Sequence, residues 1–190
     1  MTKPQRWNPM MRTTKVIPGE YVEDYLPTPN WPIDILMTRE LFSSIVWECA
    51  CGDGRMARRL KSWGYKVIGS DKYDRGYGHT GVDFFDVQEP YANNIISNPP
   101  FKYAQQFVEK ALELNNVTKF AFLLRTLFVE SKRRRHLFES NPPKKIICIA
   151  DRVMFDGSEE PGGGFSVSWY IWDKSYRGPT IYEWAWFSTL

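Results

Sequence analysis

The chain has 190 residues, 43% hydrophobic and 25% charged, which excludes a fibre or a disordered tail and matches one compact domain with a sizeable core. Its formal charge of +3 is compatible with an anionic partner but does not require one. Three cysteines (Cys49, Cys51, Cys148) and two histidines (His79, His136) supply neither a disulfide framework nor a zinc set. No metal is therefore expected, and a reducing, cytoplasmic setting fits best. The most apolar run, FAFLLRTLFV, is interrupted by Arg125 and too short to span a bilayer, and the N-terminus lacks the apolar core of a signal peptide, so no membrane partner is expected.

In chain order, residues 1–20 read as a basic N-terminal arm. Lys3, Arg6, Arg12 and Lys15 precede any acid among three prolines, which suits an extended segment, either a solvated tail or a nucleic-acid contact. Residues 21–190 read as a single domain. SIVWECA is a buried strand, and GRMARRLKSWG a helix with Met56, Leu60 and Trp63 on one face and Gly64 at its end. YKVIGSD and NNIIS are further strands, and AQQFVEKALEL a helix burying Phe107, Ala111 and Leu114. KFAFLLR is a strand, FVESKRRRHLFES a helix, KKIICIAD a strand and FSVSWYIWDK the last one. Strands separated by helices of this length imply a parallel sheet covered on both faces, an α/β fold whose ligands bind at the carboxyl ends of the strands.

The loops leaving those ends carry the chemistry. ECACGDG, Glu48 to Gly54, joins a strand to a helix, and its two glycines let the backbone approach a ligand while the helix presents unsatisfied N–H groups. On its own this could be a structural turn. About twenty residues on, the next strand ends in Asp71, placed to accept both hydroxyls of a ribose lying across the first loop. In GVDFFD, Asp83 could accept from a cofactor amino group and Phe84 offer a backbone N–H. The four letters SNPP occur twice. Asn98 follows an apolar strand and precedes Phe101 and a helix, which puts it at a carboxyl strand end. Asn141 follows a charged helix and precedes a strand, so Pro142 and Pro143 there stop a helix.

Taken together, ECACGDG, VIGSD, GVDFF and NPPF resemble, in this order, the motifs of the S-adenosylmethionine-dependent methyltransferases with a Rossmann-like fold. Within them the chain is similar to the amino-methyltransferases that modify the exocyclic nitrogen of adenine in DNA. The resemblance covers roughly residues 21–175. YLPTPNWPIDIL resembles the family's Thr-Pro element, and its place before the glycine loop matches the gamma motif order. The later segments LLRTLFVES, NPPKKIICIADRVMF, GGGFSVSWYIWDK and GPT are similar to small phage and prophage methyltransferases. The resemblance implies a class I Rossmann-like fold, with a mostly parallel seven-stranded sheet, helices on both faces and an antiparallel last strand. It implies S-adenosylmethionine as cofactor, held by Thr28, Pro29, Glu48, Cys49, Ala50, Cys51, Gly52, Gly54, Asp71, Lys72, Asp83, Phe84 and Asn98. Asn98, Pro99, Pro100 and Phe101 correspond to the catalytic motif. The chain departs from the family in placing cysteines where Pro, Ser or Ala is usual, and in leaving no room for a separate target-recognition domain.

The residue types suit that chemistry. An exocyclic amino group is a poor nucleophile because its lone pair is delocalised. If the Asn98 side-chain oxygen and the Pro99 carbonyl each accept one amino hydrogen, the nitrogen can pyramidalise, the prolines fixing the loop. Phe101 would stack on a flipped-out base. DNA is the expected partner. RNA bases and a protein glutamine amide are other planar nitrogens that such a loop can serve, and a non-catalytic cofactor- or nucleic-acid-binding module is a third reading. Lys132 to His136 form either a solvated helix face or a phosphate contact. Arg75, Tyr77 and Arg152, on loops flexible enough to reach substrate, are candidate substrate contacts, and Arg125 stands either near the site or in a structural salt bridge.

Overall fold

The computed structural model describes residues 25–190. Those residues form one eight-stranded sheet, β1 Ile45–Glu48, β2 Lys66–Asp71, β3 His79–Thr80, β4 Asn94–Ser97, β5 Lys119–Arg125, β6 Lys145–Ile149, β7 Val167–Asp173 and β8 Ile181–Ala185, in the order β3-β2-β1-β4-β5-β7-β6-β8. Four helices accompany it: α1 Asn30–Met37, α2 Arg55–Ser62, α3 Ala104–Glu113 and α4 Arg135–Ser140. Residues 1–20, read from sequence as a basic arm, lie outside the described residues.

The sheet is parallel except for β7, which runs antiparallel to both β5 and β6. Two expectations are corrected here. There are eight strands, not seven, and the antiparallel strand is not the last one. β7 occupies the slot between β5 and β6, and β8 closes the edge in parallel with β6. The physical reason is burial. All of β7 except Asp173 is buried, and both faces of such a strand must be covered, whereas β8 leaves Ile181, Tyr182 and Trp184 exposed as an edge strand can.

Alternate residues of each central strand point to opposite faces and enter two cores. Val46, Ile96, Leu123 and Trp169 join the α1 and α2 side. Trp47, Ile95, Phe122 and Tyr170 join the side covered by α3 and α4. α2 buries Met56, Ala57 and Leu60. Trp63, expected on the same face, is 41% exposed and instead donates its indole N–H to Asp34 of α1 at 2.7 Å. The same carboxylate takes two hydrogen bonds from the Arg59 guanidinium at 2.7 Å each, so one buried acid clamps the two helices. α3 buries Phe107 and Ala111 as the spacing required, with Leu114 buried at its end. The expected long helix over FVESKRRRHLFES is corrected to two short 3-10 turns, Thr126–Val129 and Lys132–Arg134, followed by the six-residue α4. The Ser131 side chain accepts the Arg133 N–H, a local turn that competes with continuous helix.

At the amino end of the sheet, the buried carboxylate of Glu40 gathers Lys119 (2.9 Å), Lys144 (2.8 Å) and Lys145 (3.5 Å). This cluster ties the segment after α1 to β5 and β6. Among the described residues, no helix is long and apolar enough to cross a membrane.

Candidate active site

Gly52 and Gly54 turn the chain between β1 and α2 with φ of +54° and +79°, a region that L side chains rarely adopt. Space imposes glycine a second time. A Cβ on Gly54 would stand 2.2 Å from the Tyr77 ring, and one on Gly52 2.5 Å from the Tyr25 ring. Tyr77 therefore packs on the glycine loop, with Arg58 and Lys61 over its ring. Arg75 stacks over Tyr25 at 4.4 Å.

The loop borders a cleft across the carboxyl ends of β1, β2 and β4. One cavity of about 60 Å³ touches Tyr25, Thr28, Glu48, Gly52, Asp71 and Asn98. A second, of about 230 Å³, touches Cys49, Lys72, Asp83, Phe84, Tyr103 and Phe107. Ala50 and Pro100 border both, so the two form one elongated cleft. Of the residues proposed from sequence, Thr28, Glu48, Ala50, Cys51, Gly52, Asp71, Asn98 and Pro100 line the first part, and Cys49, Lys72, Asp83 and Phe84 the second. Gly54 and Pro29 stand just behind the lining, the latter buried at the start of α1.

Glu48 is buried at the end of β1, and its Oε2 has no hydrogen-bond partner among the described residues. Burial pushes its carboxyl well above the ordinary value; the Asp71 and Asp53 carboxylates add to this, while the Ala57 N–H and Arg58 oppose it. Asp71 accepts the Gly52 N–H at 2.8 Å and the Tyr73 N–H at 2.9 Å, one on each oxygen. It thus fixes the glycine loop, while its remaining lone pairs face the cleft. Asp83 is not at a strand end. It caps the 3-10 turn Phe84–Asp86 by accepting the Phe85 N–H at 3.1 Å, and Lys72 pairs with it at 3.1 Å.

Asn98 is the most constrained group. Its Nδ2 donates to the Leu26 carbonyl at 3.1 Å and to Thr28 Oγ1 at 3.0 Å. A backbone carbonyl can only accept, so the amide orientation follows from its surroundings. Oδ1 is buried without a partner among the described residues. An unsatisfied buried acceptor costs about 1–3 kcal/mol, and burying each of the large side chains in the two cores returns a similar amount, about 1.5–3 kcal/mol. This fixed acceptor belongs to a residue that lines the first part of the cleft. Pro99 is buried beside it. The Phe101 ring meets Phe155 and Phe165 edge-on at 6.1 and 6.0 Å.

Asn141 lies at the opposite end of the sheet. It ends α4, and its carbonyl accepts the Trp172 indole N–H at 2.9 Å. The loop from β6 to β7, expected to be flexible, is pinned by a Val153–Phe165 bridge and by Glu159, which accepts the Asn30 N–H at 2.8 Å. Sequence reasoning missed Tyr25, Leu26 and the Phe155–Phe165 pair. Only the aromatic character of three of them was visible in the letters.

No protein-family model and no curated protein matches the sequence, but solved structures share its architecture. A Listeria monocytogenes protein assigned to the class I S-adenosylmethionine-dependent methyltransferases superposes with a TM-score of 0.58 at 14% identity, over 88% of this chain and 67% of that one. A modification subunit assigned to a type I restriction enzyme of Vibrio vulnificus gives 0.57 at 12% identity, over 84% and 47%. A dimethyladenosine transferase of Plasmodium falciparum gives 0.54 at 19% identity, over 79% and 63%. The chain thus has the α/β fold of the class I methyltransferases, and spans about half the length of the restriction subunit.

Proposed function

We propose that this chain is an S-adenosylmethionine-dependent methyltransferase that methylates the exocyclic amino nitrogen of adenine in DNA. The observation that carries the reading is the Asn98 amide, clamped through Nδ2 at the edge of the cleft, with Oδ1 buried and without a partner among the described residues. The cleft residues fit the cofactor. The glycine loop permits close backbone approach, Asp71 suits the ribose hydroxyls, and Asp83 with the Phe84 backbone suits the adenine. Lys72 orients Asp83, and Cys49, Ala50 and Cys51 shape the floor. The unpartnered oxygen of Glu48, with Thr28 and Pro29, suits the charged methionyl end. When bound, S-adenosylmethionine supplies an electrophilic methyl group on a sulfonium centre.

This chain's own residues then act on the acceptor. Asn98 Oδ1 accepts a hydrogen bond from one amino hydrogen and the Pro99 carbonyl from the other, which draws the nitrogen lone pair out of conjugation and aims it into the cleft, and the methylated, cationic nitrogen then loses one proton to solvent. Pro99 and Pro100 present no competing N–H, and Phe101 offers a stacking surface for the base. The names of the restriction-enzyme modification subunit and of the dimethyladenosine transferase that share the fold are in keeping with a nucleoside acceptor. Incubation with methyl-labelled cofactor and a panel of DNA, RNA and peptide substrates, followed by nucleoside and amino-acid analysis, is expected to place the label on adenine of DNA. Label on an RNA base or on glutamine would overturn that choice.

A further inference from the structure

Beside the catalytic loop, on the side away from the glycine turn, lies a cavity of about 260 Å³ lined by Phe101, Ala104, Arg125, Leu127, Phe128 and Arg134. It holds two guanidinium groups and no carboxylate. Arg125 ends β5, next to the carboxyl end of β4, and its guanidinium lies over the Phe165 ring at 4.7 Å and the Phe101 ring at 5.9 Å. Among the described residues, no acid pairs with it. Arg134 lies over Phe128 at 4.5 Å and donates Nε to the Phe128 carbonyl at 3.0 Å, which fixes its direction and leaves its terminal N–H groups for another acceptor. Lys132 and Arg133, exposed on the same turn, extend the positive edge.

We propose that this cavity binds the phosphodiester next to the acceptor nucleotide, with Arg125 and Arg134 as its phosphate contacts. Stacked, partly dehydrated guanidinium groups with free in-plane donors match phosphate oxygens in charge and geometry. Their position against Phe101 matters. A base stacked on Phe101 brings its own backbone phosphate within reach of that wall, whereas a glutamine amide brings no fixed anion. The inference rests on the nucleic-acid reading of the catalytic loop and adds to it a recognition element for the backbone of the substrate.

The test is binding of fluorescein-labelled DNA and RNA oligonucleotides, measured by anisotropy between about 50 and 200 mM salt. Wild type is compared with Arg125→Ala, Arg134→Ala, the two Arg→Lys variants and Asn98→Ala, each first checked for cofactor binding and thermal melting. Each Arg→Ala variant is expected to weaken binding at least about tenfold and to lower the slope of log affinity against log salt by about 0.7–0.9. The Lys variants, which retain the charge, should keep the slope, and Asn98→Ala, which removes no charge, should keep the slope while losing transfer. Wild-type slope and affinity in both Ala variants would overturn the assignment. Transfer to DNA adenine under that outcome would leave the catalytic reading standing. A lost slope with label on no adenine would support the cavity and overturn the catalytic reading.

Discussion

Thr28 Oγ1 accepts a hydrogen bond from Asn98 Nδ2 at 3.0 Å, joining residues 70 positions apart in the chain. Through this bond the Thr-Pro segment sets the direction of the Asn98 carbonyl. Thr28→Val keeps the shape and removes the acceptor, leaving the Leu26 carbonyl as the amide's remaining holder. Loss of one such bond is worth about 1 kcal/mol, so the single-turnover rate of methyl transfer should fall about five- to tenfold, and Thr28→Ser should restore it. A Val variant with wild-type rate would show that the Leu26 carbonyl suffices.

The buried Glu48 predicts an inverse pH dependence. Its folded carboxyl is raised above the ordinary value, chiefly by burial. The neutral form is thus the one the fold favours, and the stability associated with it is full below the ordinary carboxylate range and lost as pH rises through the raised value. Glu48→Gln stays neutral. Its melting temperature should exceed that of wild type by more at about pH 8 than at about pH 5, while its affinity for the cationic cofactor falls. Thermal melts of the empty protein across pH, with cofactor titrations, check both parts; a difference that does not change with pH contradicts the first.

Gly54→Ala meets two obstacles, a φ of +79° and the Tyr77 ring at 2.2 Å from the new Cβ. The backbone penalty alone is about 1–2 kcal/mol. Cofactor affinity should drop together with the urea midpoint, and adding Tyr77→Ala should recover only the steric part. Full recovery in the double variant would mean that the left-handed backbone is not limiting.

Glu40 provides a control at the far end of the sheet. Burial alone would raise its carboxyl, but the hydrogen bonds from Lys144 and Lys119 outweigh it and hold the group below its ordinary value. This stability is present above the ordinary carboxylate range and lost as pH falls through the folded value. Glu40→Gln removes the partner that three lysines share, leaving them Asp173 and Glu183, and should cost about 1–3 kcal/mol at neutral pH, measured by urea unfolding. Transfer by the protein that remains folded should be unchanged.

The parts that were legible in the sequence are those governed by short-range rules. The glycine loop, the strand ending in Asp71, the helix of Phe107 and Ala111, and the contrast between Asn98 and Asn141 all follow from periodicity and punctuation. α1 was invisible because it is buried from Trp31 to Met37 and shows no polar stripe. β8 was hidden in a run of aromatics, and β7 was placed last because its insertion between β5 and β6 depends on pairing across the whole sheet. The Arg125 and Arg134 cavity was not legible either. The residues were visible, but which of them meet at Phe101, with no acid beside Arg125 among the described residues, depends on the fold.

Under the proposed function, Asn98 and not its twin in the second SNPP receives an adenine amino group of DNA. The most direct measurement is single-turnover transfer of labelled methyl to a DNA oligonucleotide by wild type, Asn98→Ala and Asn141→Ala, with cofactor binding measured alongside and the product nucleoside identified. Methylated adenine is expected from wild type and Asn141→Ala, and at least about a 10²-fold loss for Asn98→Ala with cofactor still bound. Wild-type turnover by Asn98→Ala, or an equal loss in Asn141→Ala, would contradict this reading.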